Sequence, residues 1–296
     1  MQLRFCAYQY QSIPFAQLRE RWRRAEEVGF DVMWNCDTVV EPDHPRSPIF
    51  DGPATLSAMA LATSTIRIGT LVTSLYFRHP LTFVKATITV DHLSEGRVEI
   101  ALGVGDPSAG AAAVGASWTP AERVERFREF VQLTTLLFAN EVTGFEGRFF
   151  RCDLAEMLPR ALQSGRPPIA IAAHGPKMLE IAAESADAWS SWGGYGVETE
   201  DDFLEVTSIR SQRLSELCAA IGRDPGSIRR SLVCFQPLTP WESPGYFTDM
   251  VGRFREVGID EFVLYWPRHW RPEAAHEDDV FQTVTHELIP EFRARG

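Results

Sequence analysis

Short apolar runs and longer stretches of helical period alternate along the whole chain. Residues 3–8 (LRFCAY) form the first strand-like run. Residues 15–28 carry an amphipathic helical pattern that Gly29 ends. The rhythm continues with strands at 32–36, 66–73 and 98–104 and helices at 53–63, 81–93 and 120–138. In the second half, strands at 169–173, 188–192, 231–236 and 261–266 alternate with helices at 177–185, 201–221, 245–257 and 278–292. Eight strand–helix units predict an α/β fold with a parallel sheet, closed as a (β/α)8 TIM barrel in one domain spanning residues 1–296. The competing arrangement is an open doubly wound sheet, which usually begins on a glycine-rich turn. The first turn here, QYQSIP at 9–14, holds no glycine.

Two segments depart from the rhythm. Residues 141–152, EVTGFEGRFFRC, alternate in period two around Gly144 and Gly147 and read as a short hairpin insertion before the fifth strand. The Ala/Gly tract at 109–115 reads as a mobile loop after the fourth strand.

In such barrels the chemistry sits at the carboxyl ends of the strands. Those ends carry Tyr8 and Gln9, Asn35 to Asp37, Thr73 and Ser74, Gly103 to Asp106, Ala173 to Gly175, Trp192 and Gly193, Gln236, and Trp266. Aromatic residues and bare glycines suit a flat conjugated ligand, because glycine lets the main chain approach a ring face. The same glycines also read simply as turns. In "IAIAAHGPKMLEIAAESADAW", residues 169–189, a strand meets a helix through His174, Gly175, Pro176 and Lys177. A helix amino terminus beside glycine and lysine is a place for an anion, most often phosphate. Proline in a first helical turn also needs no ligand to explain it.

Composition narrows the partners. The chain has 296 residues, 45% hydrophobic and 23% charged, with a formal net charge of -11. No basic run offers a nucleic-acid surface, and no apolar run reaches the roughly 18 residues of a membrane helix. The first residues lack the basic start and apolar stretch of a signal peptide. Five scattered cysteines form no CxxC and no ligand cluster. A reduced, cytoplasmic protein without a metal is expected.

Three stretches carry a family resemblance: "EEVGFDVMWNCD", "TIRIGTLVTSLYFRHPLTFVKATITVDHLSEGRVEIALGVG" and "IAAHGPKMLEIAAESADAW". Together they resemble the luciferase-like flavin and deazaflavin oxidoreductases, and the "LVTSLYFRHP" form resembles the branch that uses coenzyme F420. The resemblance implies a barrel with hairpin insertions. It implies a strained peptide at Thr73 and Ser74 against the cofactor ring and an acid, Asp37, near the pyrimidine side. It places the backbone of Gly103, Val104 and Gly105 alongside the ring. It gives the turn Ala173, His174, Gly175, Pro176, Lys177 and Met178 the cofactor's phosphate. Thr38 stands where many members have histidine. Asp106, Pro107 and Ser108 stand where the sugar-phosphate dehydrogenases carry glutamate, so sugar-phosphate oxidation is not implied.

The function implied is F420-dependent hydride transfer with a small, hydrophobic organic substrate. The candidate proton donors are Asp37, His79, His174 and Tyr8, although His79 also fits a turn role. Tyr8, Thr38, Asp106, Trp192 and Trp266 are the candidate substrate-pocket residues. Trp34, Trp241 and Trp270 are divided between core and pocket. Asp91, His92 and Arg97 are read as fixing the turn into the fourth strand, and Glu129 as part of an amphipathic helix. Two alternatives stay open. One is an FMN-dependent monooxygenase using O2, and the other is a flavin-binding barrel without turnover. An aldolase is disfavoured because no lysine ends a strand. A homodimer and a separate F420 or flavin reductase that supplies reduced cofactor are the partners expected.

Overall fold

The computed structural model describes residues 2–40, 48–267 and 276–295; Trp270 lies outside these residues. In chain order the elements begin β1 (Arg4–Gln9), α1 (Phe15–Glu27), β2 (Val32–Asn35), α2 (Gly52–Ala62), β3 (Arg67–Ser74), α3 (Pro80–Leu93) and β4 (Val98–Gly103). Next come α4 (Pro107–Val114), α5 (Pro120–Ala139), β5 (Val142–Glu146), β6 (Arg151–Glu156), β7 (Ile169–Ala172) and α6 (Pro176–Ser185). The chain finishes with β8 (Ala188–Ser191), α7 (Glu200–Ala220), β9 (Arg229–Val233), α8 (Pro244–Glu256), β10 (Glu261–Tyr265), α9 (Glu277–Thr283) and α10 (Ile289–Arg295).

The strand order β1-β10-β9-β8-β7-β4-β3-β2 closes on itself as a barrel, with helices between the strands. Closure decides against the open sheet. The hairpin β5–β6 forms its own antiparallel pair. No helix among the described residues is long and apolar enough to cross a membrane.

Contacts divide the chain into two compact units. The first takes Met1–Gln9, Arg24–Met33 and Ala173–Gly296, and the second Tyr10–Arg23 and Trp34–Ala172. In the first unit β1, β10, β9 and β8 pair in parallel, with Tyr8 opposite Tyr265 and Ser191 opposite Leu232. Its core is built on Phe5, Trp189, Phe203, Phe247 and Phe262, all fully buried. In the second unit β3 pairs with β4 and β4 with β7. Each buried large side chain contributes about 1.5–3 kcal/mol to the core.

Two turns in the second unit are built by charged side chains. Arg97 donates to the carbonyls of Ala60, Thr63, Ile66 and Ser94 at 2.7–2.9 Å, closing the carboxyl end of α2. Asp91 is fully buried and accepts from the amides of Leu162 and Gln163, while His92 Nε2 meets the Arg160 carbonyl. Glu129 has a more specific role than the amphipathic helix position assigned from sequence. Its carboxylate accepts the amides of Arg148, Phe149 and Phe150 at 2.8–3.2 Å and so fixes the hairpin turn to α5. A Cβ on Gly147 would lie 2.3 Å from Glu129 Oε2, so a side chain there would displace the anchor.

Three expectations need correction. The Ala/Gly tract is not a loop but helix α4. Asp106 caps it by accepting from the Ser108 and Ala109 amides at 2.6 and 3.0 Å, Pro107 occupies its first turn, and Gly115 ends it at φ 65°. Alanine is the strongest helix former, and Asp-Pro with a closing glycine are start and stop signals, so these local rules prevailed over the loop-like composition. The last predicted helix is interrupted by a π turn, Val284–Leu288. Pro290, just beyond, has no N–H to continue the regular ladder. Finally, the non-proline cis peptide falls at Leu71–Val72, not at Thr73 and Ser74, where the register of β3 against β4 also shifts.

Candidate functional site

The second unit gathers charge at its strand ends. Asp37 follows β2, and its side chain is inaccessible to solvent. Arg78, from the turn after β3, meets it with Nε at 3.1 and 3.0 Å from the two carboxylate oxygens and Nη2 at 2.5 Å from Oδ1. The Ser74 amide donates to Asp37 Oδ2 at 3.4 Å. Arg78 Nη2 also reaches Asp51 Oδ2 at 2.6 Å, while Asp51 Oδ1 caps α2 through the Ala54 amide. Burial pushes the Asp37 carboxyl above its usual range, and the bonds from Arg78 pull the other way. Burial also draws the Arg78 guanidinium down, but its two carboxylates more than offset this and raise it. Removing one partner of such a buried pair costs about 3–5 kcal/mol, because the other charge is stranded. Gln11 steadies the segment beside it, donating from Nε2 to the Cys36 and Phe50 carbonyls at 2.7 and 2.9 Å.

The glycines of β4 and its turn serve the protein's own side chains. A Cβ on Gly103 would come within 2.6 Å of Val72 Cγ2. One on Gly105, which sits at φ 75°, would come within 2.2 Å of Ser74 Oγ. One on Gly110 would strike the Tyr76 ring. Sequence reading assigned the bare backbone of Gly103, Val104 and Gly105 to a ligand ring. The missing Cβ atoms of Gly103 and Gly105 make room for Val72, Ser74 and Tyr76. Val72 itself is half-buried, so the β3 bulge offers an apolar face. Tyr76 stacks on Trp118 at 4.7 Å, and the Arg126 guanidinium lies over both Trp118 and Phe149 at 4.4 and 4.2 Å.

The remaining candidates of this unit have local roles. His79 caps α3, its Nδ1 accepting the Leu81 amide at 3.3 Å. Thr38 donates its hydroxyl to the Val40 carbonyl at 2.6 Å. Thr73 bonds hydroxyl to hydroxyl with Thr70 at 2.6 Å. Asp106 is the α4 cap described above.

The first unit gathers rings. Tyr265 lies 5.0 Å from Tyr8 and 4.6 Å from Phe235, and Phe235 lies 5.9 Å from Trp192. Trp192 also meets Tyr195 at 5.1 Å and His174 at 5.4 Å. Such pairs each add about 0.5–1.5 kcal/mol beyond burial. Among the described residues, Trp266 is not joined to them by a ring contact. It is 7% exposed and packs on Phe281 at 5.1 Å, as Trp241 does at 5.3 Å. Side chains alternate along a strand, so the ring that joins the cluster belongs to the preceding residue, Tyr265.

The same unit holds the predicted anion turn. Ala173 is pinned by the Trp189 indole, which donates to its carbonyl at 2.8 Å. Gly175 begins α6 without any side-chain cap, and a Cβ there would meet nothing within 4 Å. Pro176 follows in the first turn, and the Met178 and Leu179 amides bond back to the Gly175 carbonyl. His174 Nε2 accepts the Trp192 amide at 3.4 Å, which puts the neutral ring's proton on Nδ1. Burial, with the charge of Arg210 adding to it, pulls His174 down to about 4. Arg210, from α7, donates to the Gly193 carbonyl, and a Cβ on Gly194 would lie 3.3 Å from its Nη2 and 3.6 Å from His174 Nδ1. Lys177 is 71% exposed and pairs with Glu180 at 3.0 Å. The cation beside His174 is therefore Arg210, which no motif in the sequence connects with the turn.

The family model for luciferase-like monooxygenase matches residues 3–235. The chain is 30% identical over 273 residues to a 5,10-methylenetetrahydromethanopterin reductase of Methanolobus tindarius, a match covering 90% of this chain and 75% of that one. It is 32% identical over 183 residues to an F420-dependent glucose-6-phosphate dehydrogenase of Amycolatopsis mediterranei, covering 61% of this chain and 54% of the other. The chain thus spans about half the length of that relative. Its fold is similar to that of an F420-dependent secondary alcohol dehydrogenase solved with an F420–acetone adduct, with TM-score 0.81 at 18% identity, covering 96% of this chain and 98% of that one. With the family model matching most of its length, the chain belongs to the luciferase-like monooxygenase family.

Proposed function

We propose that this protein is an F420-dependent oxidoreductase that exchanges a hydride with a small, flat, hydrophobic substrate. The observation that carries the reading is the uncapped amino terminus of α6 beside Arg210, in a chain with relatives named as F420-dependent dehydrogenases. A helix amino terminus without a side-chain cap and a nearby guanidinium suit a phosphate. The half-buried Val72 on the β3 bulge, taken by itself, suits an apolar ring. F420, when bound, supplies a ring carbon that donates or accepts the hydride. The His174–Met178 turn with Arg210 would hold the phosphate.

Among the proton-donor candidates, Asp37 is committed to Arg78 and His79 to its helix cap. Tyr8 and the Nδ1–H of His174 remain, both within the ring cluster. The rings of Tyr265, Phe235 and Trp192 favour a conjugated substrate over a phosphorylated one. A separate F420 reductase would supply reduced cofactor.

Titration of the purified protein with F420 and, separately, with FMN tests the reading by fluorescence quenching. Tighter binding of F420 is the expected result. Preference for FMN would turn the reading to an oxygen-using monooxygenase, and binding of neither would overturn it.

A further inference from the structure

Arg78 uses only part of its donor set. Nε and Nη2 are taken by Asp37 and Asp51, while Nη1 has no partner among the described residues. The side chain retains 20% exposure, whereas the Asp37 side chain has none. The group that this cluster can present to a ligand is therefore the guanidinium and not the carboxylate. Two carboxylates on two of its nitrogens fix its plane, as a planar fork allows. They also leave the cluster with no net positive charge, since one guanidinium stands against two acids. A phosphate or carboxylate would meet those acids at close range and be repelled. A neutral carbonyl oxygen meets no such penalty and accepts from Nη1.

Resting on the F420 reading above, we propose that Arg78 Nη1 donates to a carbonyl of the cofactor's pyrimidinedione ring. Asp37 and Asp51 act as positioning residues that hold the guanidinium. Arg78 thereby orients the ring and, through a hydrogen bond at its carbonyl edge, tunes its electronics. Sequence reading had put Asp37 in that place. Arg78 was passed over because "RHP" drew attention to its histidine and because the partner at position 37 is remote in the chain.

The test compares the wild type with Asp37→Asn, Arg78→Lys and the double variant Asp37→Asn/Arg78→Met. The double variant removes both charges together, so no buried carboxylate is stranded and the fold is kept. Each protein is titrated with F420 and with its phosphate-free deazariboflavin chromophore, and the visible absorption spectrum of each complex is recorded. Asp37→Asn is expected to lose less than threefold in affinity. Arg78→Lys is expected to fall between it and the double variant. The double variant is expected to lose at least tenfold, by the same factor for both ligands, with a shifted spectrum. Wild-type affinity and spectrum in the double variant would overturn the assignment and leave the cofactor reading standing. A loss confined to F420 would also overturn it, because the contact would then lie on the phosphate arm. Wild-type protein that binds neither ligand would overturn the cofactor reading and this assignment with it.

Discussion

The two units end their strands in opposite chemistry. One concentrates charge, with Asp37, Arg78 and Asp51 joined within 3.1 Å and Asp37 sealed from water. The other concentrates rings, from Tyr8 and Tyr265 through Phe235 to Trp192 and His174, with His174 kept neutral by burial. A fixed ion pair tolerates little change, because each charge depends on the other. A cluster of rings accepts flat surfaces of many outlines and yields gradually when one member is lost.

The comparison breaks most sharply at the ion pair. Arg78→Met alone strands the Asp37 carboxylate and is expected to lower unfolding stability by about 3–5 kcal/mol in urea melts, with most of the loss restored in the double variant with Asp37→Asn. In the ring cluster, Trp192→Ala is expected to cost about 1–2 kcal/mol, since that ring is only half-buried, and to weaken substrate binding more than cofactor binding. A stability loss as large as that of Arg78→Met would erase the distinction between the two regions. Gly105→Ala probes the turn beside the ion pair. Its Cβ meets Ser74 Oγ and its φ of 75° disfavours any side chain, so a loss of about 1–3 kcal/mol is expected from thermal unfolding.

The histidine sharpens the contrast through pH. Folded His174 takes its proton only near pH 4, while the unfolded residue takes it near its ordinary 6.5. Between those values the unfolded chain binds more protons, so His174's contribution is fully present above pH 6.5 and is lost as pH falls toward 4. His174→Gln is expected to flatten that part of the profile when unfolding free energies at pH 7.5 and pH 5 are compared. An unchanged slope would contradict the neutral, buried ring. The smallest effect is expected at Lys177. Its exposed pair with Glu180 contributes less than about 1 kcal/mol, so Lys177→Ala is expected to leave stability nearly unaltered and to weaken F420 binding far less than Arg210→Met.

The barrel was legible because it is written in local period. Strand and helix alternation needs no distant contact to be read, and every strand of the barrel falls within two or three residues of its expected place. The strand-to-helix turn before α6 was legible, but the side chains gathered around it were not. The turn at His174 and Gly175 announces itself by neighbouring residues. Arg210 and Arg78 do not, because each acquires its meaning from a partner far along the chain. Trp266 and Tyr265 show a second limit. Near a strand end the period-two phase decides which of two adjacent aromatics joins the cluster, and composition alone does not give the phase. The glycines after β4 show a third. A bare backbone is equally suited to a ligand and to the side chain of a neighbour, and only packing reveals that Val72 and Ser74 fill it. The α4 tract went the other way, since its start, stop and alanines were all present in the sequence and were outweighed by its loop-like composition.

The most direct test of the account is a crystal structure of the protein with F420 bound. The account predicts the phosphate at the first turn of α6 within hydrogen-bond distance of Arg210. A phosphate seated elsewhere, with the amino terminus of α6 left to solvent, would contradict it.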